Sequence, residues 1–143
     1  LIHDQVTRSL KQGAKLITGG KVPTGPGYYY PPTILTDVKK GMVVSTEETF
    51  GPVAAIITVN SKEEALIVAN DSHFGLGSSV WSKDQDTISY FINNLEAGCV
   101  FVNSMVKSDP HLPFGGTKFS GYGRELSEYG LKEFVNVKTI WIN

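Results

Sequence analysis

The sequence predicts an α/β fold in which βαβ units build a largely parallel sheet. Two observations carry that prediction. Residues 52–60, PVAAIITVN, are almost continuously apolar, the pattern of a strand buried on both faces. From there to Asn103 the hydrophobic period switches from strand to helix to strand to helix to strand. That succession makes two βαβ units with right-handed crossovers.

The elements follow in order. LIHDQVTRSLKQG places Ile2, Val6 and Leu10 four residues apart, one apolar stripe of a helix, with Gly13 as its C-terminal cap. Ala14–Thr18 reads as a short strand, and Gly19 to Gly27 as a surface loop rich in glycine and proline. TyrTyrTyr at 28–30, Pro31-Pro32 and Thr33-Ile34-Leu35 read as extended chain, with the prolines favouring a sheet edge or a bend. After the 52–60 strand, Ser61 and Glu64 form a capping-box signature that opens a helix to about Asn70. Gly75 to Lys83 returns as a strand. Asp84 caps a second helix with Ile88, Phe91, Ile92 and Leu95 on one face and Gly98 at its end. Cys99–Asn103 is the next strand. A glycine-rich loop, a short helix over 128–134 and a final strand, VNVKTIWIN, close the sequence.

Composition narrows the function classes. In 143 residues, thirteen basic and fourteen acidic side chains leave a net charge of -1, spread along the chain, so no basic footprint points to nucleic acid or to an anionic membrane. No run approaches the ~20 apolar residues of a membrane span. One cysteine permits no internal disulfide, and a reducing cytoplasm is the expected setting. The sequence starts at Leu1, inside a helical pattern, as a fragment would.

The chemistry-bearing residues each have a bland alternative. A nucleophilic cysteine needs a cation, a base or a helix N-terminus beside it. Cys99 lies among Ala97, Gly98, Val100 and Phe101 at the start of a strand, the setting of a small apolar residue. His3, His73 and His111 show no metal-ligand spacing. GYGREL and GLGSSV each lack the third glycine of a dinucleotide fingerprint, and GGTKFS is not a P-loop. STEETFGPV, with adjacent carboxylates Glu47 and Glu48 before an aromatic and a Gly-Pro pair, is by its chemistry alone a solvated turn or a site.

Four motifs in register decide between these readings. EETFGPV at 47–53, FGLGSSVWS at 74–82, EAGCVFVN at 96–103 and LPFGGTKFSGYGREL at 112–126 resemble, in order and spacing, the C-terminal part of NAD(P)-dependent aldehyde dehydrogenases. NSMVKSDPHLPFGG is most similar to the succinate-semialdehyde dehydrogenases of bacteria. The resemblance covers essentially the whole chain. It implies parallel-sheet βαβ units of that family's catalytic domain over 1–134, and over 135–143 an oligomerisation strand that pairs with a neighbouring subunit.

In that family a cysteine thiolate attacks the aldehyde, hydride passes to the nicotinamide, and a glutamate-activated water releases the acid. The resemblance places that cysteine, that glutamate, the oxyanion-hole asparagine and the Rossmann-type unit upstream of these motifs, so no catalytic residue is expected among 1–143 and Cys99 is expected to be structural. It implies cofactor contacts by Glu48, to the nicotinamide ribose, and by Phe50, beside the nicotinamide ring. It implies substrate contacts by Phe114, lining the aldehyde tunnel, and by Ser108, offering a hydroxyl to the distal carboxylate of succinate semialdehyde. Arg124 is expected to be structural. The cofactor is then NAD or NADP, and the partners are a small aldehyde, the remainder of the same enzyme and further copies in a homo-oligomer, with neither nucleic acid nor membrane. The rival reading is a non-catalytic α/β module that binds a nucleotide or a partner chain.

Overall fold

Helix α1 spans Ile2–Lys11, and it ends as the sequence predicts. Gly13 has φ +108°, its amide donates to the Leu10 carbonyl, and the Ala14 amide donates to Ser9, each at 3.1 Å. These two bonds form a Schellman motif, which needs the left-handed backbone that glycine accepts without strain. The apolar stripe is buried: Val6 is fully covered and packs with Ala14, Leu35, Val38, Met42 and Val44, while Ile2 and Leu10 flank the cluster.

The computed structural model describes residues 1–143, which divide into two compact units, Leu1–Ser61 and Lys62–Asn143. The first unit holds α1, a three-stranded sheet and one short helix, α2 (Val43–Thr46). Its strands are β1 (Lys15–Thr18), β2 (Thr33–Thr36) and β3 (Val53–Ala55), in the order β1-β2-β3. β1 runs antiparallel to β2, with a register shift between Leu16 and Thr18. β2 runs parallel to β3, Thr33 facing Val53.

Two expectations are corrected here. The Pro31-Pro32 pair does not put β2 at an edge, because β2 is the central strand. Its ladder begins one residue after the prolines, where Thr33 donates to the Pro52 carbonyl at 2.8 Å, so their missing amides are never called on. Nor is the 52–60 stretch a strand buried on both faces. Only Val53–Ala55 enter the ladder; Ala54 and Ala55 are exposed, and β3 is paired on one side alone.

The second unit contains α3 (Lys62–Asn70), β4 (Phe74–Gly75), β5 (Gly77–Val80), α4 (Gln85–Asn94), β6 (Cys99–Val102), β7 (Thr117–Lys118) and α5 (Ser127–Lys132). β5 and β6 pair in parallel, Gly77 with Cys99 through Val80 with Val102, so β5-α4-β6 is one of the two predicted βαβ units. The other does not form as expected. β3 pairs with β2, and the predicted strand over 75–83 is split, with β4 pairing antiparallel to β7. Asn103, at φ +51°, extends the parallel pair through its side chain: Oδ1 accepts from the Ser82 amide at 3.0 Å and Nδ2 donates to the Ser82 carbonyl at 2.9 Å. Asparagine is one of the few residues that tolerates this backbone region.

Asp84 caps α4 as expected, its carboxylate accepting from the Thr87 amide at 2.8 Å. Gly98 does not end that helix. The helix stops at Asn94, where the Asn70 side chain donates to the Asn94 carbonyl at 2.8 Å and accepts from the Glu96 amide at 2.9 Å, and Leu95 turns extended. Gly98 serves a different purpose: a Cβ there would collide with the Gly115 carbonyl, so the 96–103 segment can meet the 114–125 loop only as bare backbone. Residues 135–143, predicted as a strand, have no ladder partner in this chain, and a strand needs a neighbour to bond.

Substituting Gly98→Ala is expected to lower stability by about 3 kcal/mol, at the upper end of overpacking costs, because the colliding atoms are main chain. Urea unfolding of the two proteins checks this, and an unchanged midpoint would contradict the close approach.

Candidate functional site

α1 carries a second stripe that the apolar pattern does not reveal. Gln5, Arg8, Ser9 and Gln12 follow the three-and-four spacing of one helix face. Each reaches the segment 43–48, in reverse order. Gln12 Oε1 accepts from the Val43 amide at 2.9 Å, and Ser9 Oγ accepts from the Val44 amide at 3.1 Å. α2 is a single turn whose first amides have no intrahelical acceptor, and Met42 at its cap makes no side-chain hydrogen bond to them. α1 supplies the missing acceptors.

One turn back, Arg8 grips Glu47 with a fork: Nη1 to Oε1 at 2.8 Å and Nη2 to Oε2 at 2.9 Å. Its Nε donates to Asp4 at 2.8 Å. Gln5, only 2% exposed, donates Nε2 both to Glu47 Oε2 at 3.2 Å and to the main-chain carbonyl of Glu48 at 3.0 Å. Gln5 Oε1 is buried without a partner, and such an orphaned acceptor costs roughly 1–3 kcal/mol. Hydrogen bonds from Arg8 and then Gln5 hold the Glu47 carboxyl below the usual glutamate range, although desolvation opposes them. The same pairing raises the Arg8 guanidinium further above its ordinary value.

The two adjacent carboxylates are therefore unlike. Glu47 is tied down, whereas the Glu48 side chain is exposed and outside the network. Phe50 follows at the apex of a three-residue turn, closed by the Gly51 amide on the Thr49 carbonyl at 2.8 Å, and the residue is 83% exposed.

The second unit has its own concave feature, an open cleft of about 630 Å³ lined in part by Phe114, Arg124, Leu76, Tyr122 and Phe134. The loop behind it is closed by a two-way bridge, with the Phe114 amide donating to Glu125 at 2.9 Å and the Glu125 amide donating back at 2.8 Å. Arg124 Nη1 donates to the Gly116 carbonyl at 2.9 Å and to the Gly123 carbonyl at 2.6 Å. Arg124 thus binds its own loop, as the sequence suggests. Two successive non-glycine residues, Leu126 and Ser127, hold φ +64° and +52° where that loop passes into α5. Cys99 is half-buried in β6, its Sγ 3.9 Å from the Gly115 carbonyl, and no three His, Cys, Asp or Glu side chains gather as a metal site.

Residues 1–140 match the profile described as "Aldehyde dehydrogenase family". The chain belongs to that family. Among the relatives of this aldehyde dehydrogenase chain, the "Succinate-semialdehyde dehydrogenase [NADP(+)] 1" of Mycobacterium ulcerans is 50% identical over 141 residues, which cover 99% of this chain and 31% of that protein. An "Aldehyde dehydrogenase" of Paenarthrobacter nicotinovorans is 49% identical over 140 residues, 98% of this chain and 31% of the relative. Among solved structures, the succinic semialdehyde dehydrogenase of Streptococcus pyogenes in complex with NADP+ superposes with a TM-score of 0.93 at 45% identity, covering 99% of this chain and 31% of that one. Lactaldehyde dehydrogenase from Escherichia coli gives 0.95 at 34% identity, over 99% of this chain and 30% of that one. The chain spans about a third of the length of the curated relatives it matches.

Of the residues singled out from this family's motifs, Glu48 and Phe50 sit close together in sequence within the first unit, both exposed. Phe114 lines the cleft of the second unit; Ser108 is exposed and is not among the residues lining it. The polar stripe of α1 is not legible in the sequence, because its contacts join residues some 31 to 43 positions apart, beyond any local pattern.

Glu47 has its carboxyl held below the ordinary range, so its contribution to stability is present above the unfolded glutamate pKa of ~4.3 and is lost as pH falls through the folded value. Glu47→Gln is expected to flatten the acid limb of the stability curve below about pH 5, the region where an ordinary carboxylate takes up its proton. Thermal midpoints of both proteins across that range test it, and parallel curves would contradict the pairing.

Proposed function

We propose that this chain is the C-terminal part of an NAD(P)-dependent aldehyde dehydrogenase that oxidises succinate semialdehyde to the acid in the cytoplasm. The observation that carries the reading is the division of labour in EETFGPV: Glu47 is consumed by Arg8 and Gln5, while Glu48 keeps an exposed carboxylate. A vicinal diol needs two acceptors, and an uncommitted carboxylate supplies both. The exposed ring of Phe50 offers an apolar face two residues on. These residues fit the ribose and nicotinamide end of a dinucleotide, NAD or NADP. When bound, that cofactor accepts the hydride released on oxidation of the aldehyde.

Within the same reading Phe114 lines the aldehyde path and excludes water from it, and Ser108 donates its hydroxyl to the distal carboxylate of the substrate. Identity near one half with relatives named for succinate semialdehyde and NADP(+) supports both substrate and cofactor. The thiol that attacks the aldehyde lies in the remainder of the enzyme, and Cys99 is a packing residue of β6. Residues 135–143 expose Val135, Val137, Ile140, Trp141 and Ile142 without a ladder partner, which supports their pairing with a neighbouring subunit.

The purified chain is expected to form no reduced cofactor from succinate semialdehyde, with or without Cys99→Ala, when followed by ultraviolet absorbance of NAD(P)H. Activity that disappears with Cys99→Ala would make Cys99 the nucleophile and sink the reading. In the full-length enzyme, Glu48→Gln is expected to weaken cofactor binding at least tenfold, the scale of one lost charge-assisted hydrogen bond, with little change in thermal midpoint. Unaltered cofactor affinity would remove Glu48 from the site.

A further inference from the structure

The geometry points to Gln5 and Arg8 of α1 as positioning residues that orient Glu48 toward the cofactor without touching the cofactor themselves. This rests on the ribose-binding reading of Glu48 given above. Three anchors fix the main chain around that residue. The Glu47 amide donates to the Val43 carbonyl at 2.8 Å. The Glu47 carboxylate is held by the Arg8 fork and by Gln5. The Glu48 carbonyl itself accepts from Gln5 at 3.0 Å. The Glu48 side chain, which none of these bonds engages, projects from a main chain anchored at Glu47 and at its own carbonyl.

Fold stability alone does not account for this arrangement. Arg8 and Glu47 are both about 40% exposed at the side chain, and ion pairs in that setting add little to stability. Gln5 is a buried amide with one acceptor unsatisfied, where an apolar side chain of similar volume would pack without that penalty. Orientation is what the pair delivers. Arg8, shared between Asp4 and Glu47, also places a positive charge against the carboxylate next to Glu48, which lessens the like-charge repulsion there.

The test uses the full-length enzyme that carries this chain. Arg8→Gln and Gln5→Met are made separately, and dissociation constants for NAD+ and NADP+ are read by protein fluorescence in the absence of aldehyde. Each is expected to weaken binding by about tenfold, the effect of one hydrogen bond's positioning, and to raise the cofactor KM while leaving the aldehyde KM in place. Arg8→Lys, which keeps the charge and loses the fork, is expected to fall between. Adding Arg8→Gln to Glu48→Gln is expected to cause no further loss, because Arg8 acts through Glu48. Additive losses in that double variant would overturn the inference. So would wild-type affinity in Arg8→Gln and Gln5→Met when Glu48→Gln alone is impaired. If Glu48→Gln itself binds normally, the ribose-binding reading fails and the inference with it. Thermal midpoints measured in parallel separate a folding defect, and the surface variants of Arg8 carry the test should Gln5→Met unfold.

Discussion

One helix face organises the first unit. Gln5, Arg8, Ser9 and Gln12 sit where an α-helix puts residues three and four apart, and between them they satisfy the amides and the carboxylate of a segment that cannot satisfy its own. α2 has four residues, too few to stand as an isolated helix. Its first two amides are accepted by α1, and Val44 is thereby held in the same core that Val6 enters from the other stripe, with Val43 buried beside it in α2. The apolar stripe secures the helix to the sheet. The polar stripe secures the 43–48 segment to the helix.

The second unit reaches its shape by a different means, close approach of main chain to main chain. Gly98 lets the start of β6 lie against Gly115, and the loop that Gly115 opens is closed by the Phe114–Glu125 bridge and by Arg124 bonding two of its carbonyls. The amides of Asn70 and Asn103 finish the ends of α4 and of the β5–β6 pair with hydrogen bonds that main chain would otherwise supply. Motifs dense in glycine, arginine and asparagine thus specify a folded loop as much as they specify chemistry.

Local patterns and long-range contacts differ in how far the sequence reveals them. The apolar stripe of α1, the Gly13 cap and the Asp84 cap are each local to one helix, the β5-α4-β6 unit runs over consecutive elements from Gly77 to Val102, and each is present. The 52–60 stretch departs from the expected strand because continuous apolarity reports what side chains prefer, and burial depends on which neighbours the strand has. Gly98 suggested a helix cap because glycine commonly is one; the carbonyl that demands it lies 17 residues downstream. The positions of Glu48, Phe50, Phe114 and Ser108 came from motif resemblance. Their surroundings came only from contacts between distant residues, and the Arg8 fork on Glu47 is the clearest of these, since nothing in DQVTRSL announces a partner 39 residues away.

The pair of carboxylates at 47 and 48 shows how one charge can be tied into the architecture while its neighbour stays exposed. Two bare carboxylates on consecutive residues repel, and a chain with no further constraint relieves that by turning both outward into water. Here a guanidinium takes both oxygens of one, in the planar geometry that arginine offers and lysine does not. A buried glutamine then holds the main-chain carbonyl of Glu48, with its own acceptor left unpaired. Packing alone would favour an apolar residue at position 5, so the buried amide there answers to the carboxylate and the carbonyl that it bonds rather than to the core.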